Sequence, residues 1–231
     1  MRMRITPASD SSLYIGFGDV TLLEAHRQVV SAFRALENLH DTRIRNLHPA
    51  YTSLLIDFDP LNLTHEEVEG MIGPLVSELA ASDHSKTRQI EIPVCYGSEF
   101  APDLASVAKK LSLTEEEVIK RHSSGDYFVY FLGFAPGFAY LGGLVPQLHV
   151  PRLATPRKHV AAGSVGIAGA QTGIYPNHSP GGWQLIGRTP LRMFDTATSP
   201  PSLTQPGDQV RFRRIDRAEF DRLYRERDHQ Q

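Results

Sequence analysis

Cysteine is almost missing from this sequence: Cys95 is the only one in 231 residues. That excludes an internal disulfide framework and any metal site assembled from several thiolates. An excess of charge of one sign is missing too. Twenty-four Lys and Arg stand against 26 Asp and Glu, a formal net charge of −2, so the balance points to no nucleic-acid partner. Apolar residues make up 41% of the chain, yet no window approaches the roughly twenty continuous apolar residues that span a bilayer. No membrane partner is expected. The opening stretch, MRMRITPASDSSLYIGFGD, lacks the unbroken apolar core of a signal peptide, and the cytoplasm is the expected location. The length suits one large domain or two small ones.

Glycine is abundant, and it is concentrated. Of 18 glycines, eleven lie between Gly133 and Gly187. The densest piece is GAQTGIYPNHSPGGW, Gly169 to Trp183, which holds four glycines, two prolines and the chain's single Trp without one Asp, Glu, Lys or Arg. A flexible linker gains nothing from a tryptophan, and a plain buried strand does not tolerate so many breakers.

Around that piece the periodicity divides the chain. Short strands are predicted at 2–6 and 12–17. Asp19 then caps a helix whose apolar positions Leu22, Ala25, Val29, Phe33 and Leu36 recur at helical spacing. Strands follow at about 42–48 and 51–58. Thr64 and Glu67 form a capping box, with Leu63 and Val68 as its hydrophobic staple. Behind them Val68, Met71, Ile72, Leu75, Val76 and Leu79 make one apolar stripe. A strand near 87–95 would close this section. The pattern predicts a small N-terminal α/β sandwich over 1–90, ferredoxin-like in arrangement, so the whole chain is α+β. Residues 91–231 form the second domain, with a helical lead-in at about 101–122 that uses Pro102 at one start and a second box, Thr114 with Glu117, at the next. After it come the aromatic strand YFVYFLGF and short runs broken by Gly and Pro, with no helix before residue 215. That spacing predicts an all-β barrel or sandwich. The tail RAEFDRLYRERDHQQ reads as a charged terminal helix.

Several chemistries can be weighed against these residues. No Lys-[ST] pair follows the glycines, so a phosphate loop of the G-x-x-x-x-G-K-[ST] type is excluded, and the dinucleotide fingerprint fails on spacing. AGSVG places Ser164 like a nucleophile elbow, but no helix follows it and a strand serine is the better reading. His159 and His178 lack the further ligands a metal needs, so no metal is expected. Cys95, in IPVCYG, has no basic neighbour and reads as buried. PRLATPRKHV gathers Arg152, Arg157, Lys158 and His159, either as a solvated loop or as a clamp for a carboxylate or phosphate. Gln171, Thr172, Tyr175, Trp183 and Gln184 are either core residues with satisfied polar tips or the walls of a hollow for a small flat polar molecule.

FLGFAPGFAYLGGL, PRLATPRKHVAAGSVGIAGAQTGIYP, SPGGWQLIGRTP and PGDQVRF together resemble the KipI family, also called allophanate hydrolase subunit 1 or the B subunit of 5-oxoprolinase (PxpB). The likeness is dense from Phe131 to Phe212. Ala139 and Ala161 depart from prolines usual in the family, and neither change removes a reactive group. The resemblance implies a C-terminal cyclophilin-like β-barrel behind the small N-terminal domain. It implies a homologous partner of the KipA or PxpC type. With a third, PxpA-type partner, it implies the opening of 5-oxo-L-proline to L-glutamate at the expense of ATP. The ATP belongs to the complex, and no metal or biotin is expected on this chain. Two other readings remain open: inhibition of a sensor histidine kinase, and a carboxyltransferase-type subunit of a urea carboxylase or allophanate pathway. At motif-matching positions, chemistry suggests Arg157 and Arg188 as an anion clamp, Gln171 as a group orienting an amide, and Tyr175 and Trp183 as walls for a ring.

Overall fold

The computed structural model describes residues 3–18, 22–79, 87–97 and 99–228, and the chain divides into two compact units, Met1–Thr87 and Arg88–Gln231. The first unit runs β1 (Met3–Ser9), β2 (Ser12–Phe17), α1 (Leu22–Asn38), β3 (Ile44–Pro49), β4 (Ser53–Phe58) and α2 (His65–Leu79). Its four strands form one antiparallel sheet in the order β1-β2-β4-β3. Alternation fixes the faces: Leu13, Ile15 and Phe17 of β2 and Leu54, Ile56 and Phe58 of β4 point into one core with Val29, Leu36, Val68 and Ile72 of the helices. The capping box at α2 is present, with the Thr64 N–H donating to Glu67 at 2.7 Å and the Glu67 N–H donating to Thr64 Oγ1 at 3.3 Å. The Asp19 cap lies outside the described residues, as do the side chains of Leu75, Val76 and Leu79.

One expectation needs correction. The strand near 87–95 forms, as β5 (Gln89–Cys95), but it does not close the N-terminal sheet. In a ferredoxin-like unit the strand after the second helix takes the edge beside the first strand. Here the N-terminal hairpin puts β1 on that edge, and β5 goes to the second unit.

The second unit continues with α3 (Leu104–Leu111), α4 (Glu115–Ser123), β6 (Tyr127–Leu132), β7 (Ala139–Gly142), β8 (Arg157–Val160), β9 (Ser164–Ala168), β10 (Gln171–Ile174), β11 (Ser179–Gly181), β12 (Gln184–Arg188), β13 (Gln209–Ile215) and α5 (Arg217–Asp228). Seven strands close into a barrel in the order β10-β7-β6-β13-β5-β12-β9, and β8 pairs with β11 apart from it. The longest register, Gln209↔Gln89 to Ile215↔Cys95, joins β13 to β5 in parallel. Inward residues such as Ile92, Val94, Val129, Ile167 and Ile186 share a core with Leu104, Val107, Val118 and Ile119 of α3 and α4. The helical pair therefore belongs to the barrel's packing. Between β6 and β13 no α-helix occurs among the described residues, only a short 3₁₀ turn at Pro146–Leu148. Among the described residues no helix is long and apolar enough to cross a membrane.

Candidate functional site

The glycine-rich segment builds an aromatic cluster on the outside of the barrel. Strand alternation sends Thr172 and Ile174 of β10 inward and leaves Gly173 facing out. The Trp183 ring lies across that glycine: a Cβ there would sit 3.1 Å from Trp183 Cζ3 and 3.0 Å from the Ala139 carbonyl oxygen. Tyr175 packs in the same way on Gly181, where a Cβ would strike its hydroxyl. Glycine here lets two large rings lie flat on backbone. Phe138 joins them, with its centroid 5.4 Å from Tyr175 and 5.6 Å from Trp183, both edge-on. Tyr140 extends the cluster, 4.9 Å from Phe138 and stacked on Phe131 at 4.6 Å.

The turn between β6 and β7 places one more ring on top. Phe134 sits at φ +69°, a left-handed conformation unusual for a bulky residue, and 61% of it is exposed. Its ring lies 5.4 Å from Phe138 and 6.3 Å from Tyr175. Beside it opens a hollow of about 520 Å³ lined by Phe134, Pro136, Phe194, Pro200, Pro201 and Ser202, among others, with no charged residue in its walls. The Ser202 hydroxyl is buried there without a hydrogen-bond partner among the described residues.

The five candidate side chains separate by environment. Tyr175 and Trp183 come together, but at 2% and 5% exposure they are a packed platform, not the open walls expected from the sequence. Burial pushes the Tyr175 hydroxyl pKa up, against the pull of the Trp183 backbone and the charges of Arg152 and Arg157. Gln171 opens β10 opposite Ala168, on the face that carries Gly173. Arg157 is not an open anion clamp. Its Nη2 donates to Asp103 Oδ1 at 2.5 Å, and Nη1 reaches the Trp183 carbonyl at 3.4 Å. Asp103, itself buried, accepts the Leu185 N–H at 2.6 Å on its other oxygen and donates its own N–H to the Leu185 carbonyl at 3.0 Å. This carboxylate ties the start of α3 to β8 and β12 at once. Arg188 stands elsewhere: its Nε donates to the Ala162 carbonyl at 2.8 Å and its guanidinium lies 5.7 Å from the Phe100 ring centre.

The readings of Ser164 and Cys95 resolve directly. Ser164 is buried in β9, far from any strand-to-helix turn. Cys95 is buried. Among the described residues no group of three His, Cys, Asp or Glu could hold a metal ion.

The barrel interior holds a polar chain that sequence reasoning missed. His122 is fully buried, stacked on Phe212 at 4.5 Å, between Tyr96 and Thr172. Thr172 donates its hydroxyl to the Gly166 carbonyl at 2.9 Å, so it accepts from His122 Nε2 at 2.9 Å. His122 Nδ1 is then the acceptor for the Tyr96 hydroxyl at 2.8 Å. The imidazole is neutral with a single tautomer, and burial drives its pKa down to about 3. The Thr114–Glu117 box and the Leu113–Val118 staple marked this helix in the sequence, and His122, one helical turn after the buried Val118, was not singled out.

The class to which this barrel and its aromatic face belong is the carboxyltransferase-type domain. The family model for the carboxyltransferase domain, subdomain C and D, matches residues 3–204, and the chain belongs to that family. Within it, the chain is 41% identical to the 5-oxoprolinase B subunit of Bacillus subtilis (strain 168) over 230 residues, covering 95% of this chain and 96% of that one. The crystal structure of TTHA0988 matches with a TM-score of 0.78 and 36% identity over 89% of this chain, which spans 40% of the TTHA0988 chain. The urea carboxylase of Kluyveromyces lactis shares the fold, with a TM-score of 0.71 at 21% identity over 98% of this chain and 23% of that chain.

Proposed function

We propose that this chain is the B subunit of an ATP-dependent 5-oxoprolinase, which opens 5-oxo-L-proline to L-glutamate in the cytoplasm together with two partners, one KipA-type (PxpC-type) and one PxpA-type. The 41% identity, over nearly the full length, to a protein named as the B subunit of 5-oxoprolinase carries this reading. A five-membered lactam is a resonance-stabilised amide, and its opening requires activation and donors positioned for the charge that develops. ATP would supply that activation within the complex. The glycines of this chain do not offer a phosphate cradle at Gly173 and Gly181, since the rings of Trp183 and Tyr175 cover them.

In this reading the platform of Tyr175, Trp183 and Phe138, locked from below by the Arg157–Asp103 pair, supports Phe134 as a contact for the KipA-type partner. A large exposed ring held in a strained turn beside an uncharged hollow suits a covered surface. The matched stretch of TTHA0988 is part of a much longer chain, which supports a fold that works in company. The test is co-purification of the tagged chain with its KipA-type and PxpA-type partners, followed by ATP consumption with and without 5-oxo-L-proline. The expected result is a stable assembly whose ATP use depends on 5-oxo-L-proline. Assembly without substrate-dependent ATP use, or no assembly, would contradict the reading.

A further inference from the structure

Between Asp126 and Asp195 the chain has no Asp or Glu, yet this stretch holds five Arg and Lys together with the whole glycine-seated aromatic face. Three of the five cations are accounted for within the fold. Arg157 meets Asp103, Arg192 meets Asp195, and Arg188 is half-buried with its Nε on the Ala162 carbonyl. Arg152 and Lys158 differ. Both are exposed, and among the described residues neither pairs with a carboxylate.

Two adjacent glycines set where these cations stand. Gly181 of β11 lies opposite Arg157 of β8, and the Tyr175 ring packs against it. Lys158 is therefore the next residue on the strand that pairs with the seat of Tyr175. Gly182 accepts the Leu153 N–H at 2.7 Å, and a Cβ on it would sit 3.6 Å from Pro156, which brings Arg152 to the same corner. Phe134 rises from the Tyr175 platform, with its ring 6.3 Å away, and the hollow of about 520 Å³ opens beside it. An exposed ring and an uncharged hollow thus adjoin a corner with two free cations and no acid. Interfaces are built in this way, with an apolar core and a charged rim. The acid-free stretch offers no counter-charge of its own. A second copy docked symmetrically would set these cations against their own images.

We propose that this face receives an acidic surface of the KipA-type partner. An apolar side chain of the partner enters the hollow beside Phe134, and carboxylates flanking it meet Arg152 and Lys158. The inference rests on the reading of the chain as a B subunit and adds the chemistry that the partner's contact surface carries. The two halves of the face act on different rates. Rim charges steer the approach, whereas the apolar core holds the complex once it has formed.

The experiment measures association and dissociation of the full chain with the purified KipA-type partner, at low and raised salt. Association of the wild-type chain should slow as salt is raised. Arg152→Glu combined with Lys158→Glu should slow it about tenfold or more at low salt and flatten its salt dependence, with little change in dissociation. Phe134→Ala should speed dissociation about tenfold and leave the salt dependence of association intact. Arg4→Glu, the same change of charge on the N-terminal sheet, should leave both rates at their wild-type values. All four residues are exposed, and the emission of Trp183 reports that the barrel is folded in each variant. A complex whose association ignores both salt and the double variant overturns the proposal and leaves the subunit reading standing. So does equal slowing by Arg4→Glu. Self-association of the chain alone, abolished by the double variant, also overturns it, since the face would then belong to a second copy. No complex under any condition contradicts both the proposal and the subunit reading.

Discussion

His122 shows how much one side chain can set. Its imidazole donates to Thr172 and accepts from Tyr96, so a second proton would break the Tyr96 bond inside an apolar barrel. The folded pKa of about 3 lies below the unfolded value of 6.5. The neutral form therefore belongs to the fold: its contribution is complete above about pH 6.5 and is lost as pH falls from there toward 3. At about 1.4 kcal/mol per pH unit, the loss amounts to several kcal/mol across that window. His122→Gln should be less stable at neutral pH but should show a flatter decline in denaturation midpoint between pH 6.5 and 3. An equal slope in both proteins would show that this histidine does not titrate with unfolding. At this scale the sequence was a partial guide. Tyr175 and Trp183 were read as walls for a ring, and instead they pack on the bare backbone of Gly181 and Gly173. The role of Arg157 was not legible, because its carboxylate, Asp103, lies 54 residues earlier and no local signal links them.

Elements were legible where their signals are local. Both capping boxes, Thr64 with Glu67 and Thr114 with Glu117, form as read, because each motif completes its hydrogen bonds within four residues. The destination of β5 could not be read that way. Its partner β13 is 120 residues distant, as in Gln209↔Gln89, and an apolar strand pattern does not name its neighbour. β10 carries the sharpest element-scale expectation. Gly173→Ala would push a methyl against Trp183 and the Ala139 carbonyl, one of which must move. Overpacking of this kind costs about 1–3 kcal/mol. Because Trp183 is the chain's only tryptophan, its emission should shift along with the lower denaturation midpoint. An unchanged midpoint and spectrum would mean that the ring does not rest on β10.

For the whole molecule, the division at Thr87/Arg88 places β5 with the barrel, and the parallel β5–β13 register is its longest pairing. A fragment from Arg88 to Gln231 is expected to fold, with Trp183 buried and a cooperative thermal transition. One starting at Gly97, without β5, should lose both. If the two fragments behave alike, the barrel does not depend on β5 for closure. The α+β class and a helix-free barrel stretch were readable from the change in periodicity after residue 126. The edge exchange between β1 and β5 was not, since it is a choice between two strands of equal length and neither sequence names its neighbour. The central claim, that this chain serves 5-oxoproline ring opening, is tested most directly by mass-spectrometric detection of L-glutamate formed from 5-oxo-L-proline and ATP by the purified PxpA-type and KipA-type partners, with and without this chain. Glutamate is expected only when the chain is added. Equal glutamate without it, or none with it, would contradict the account.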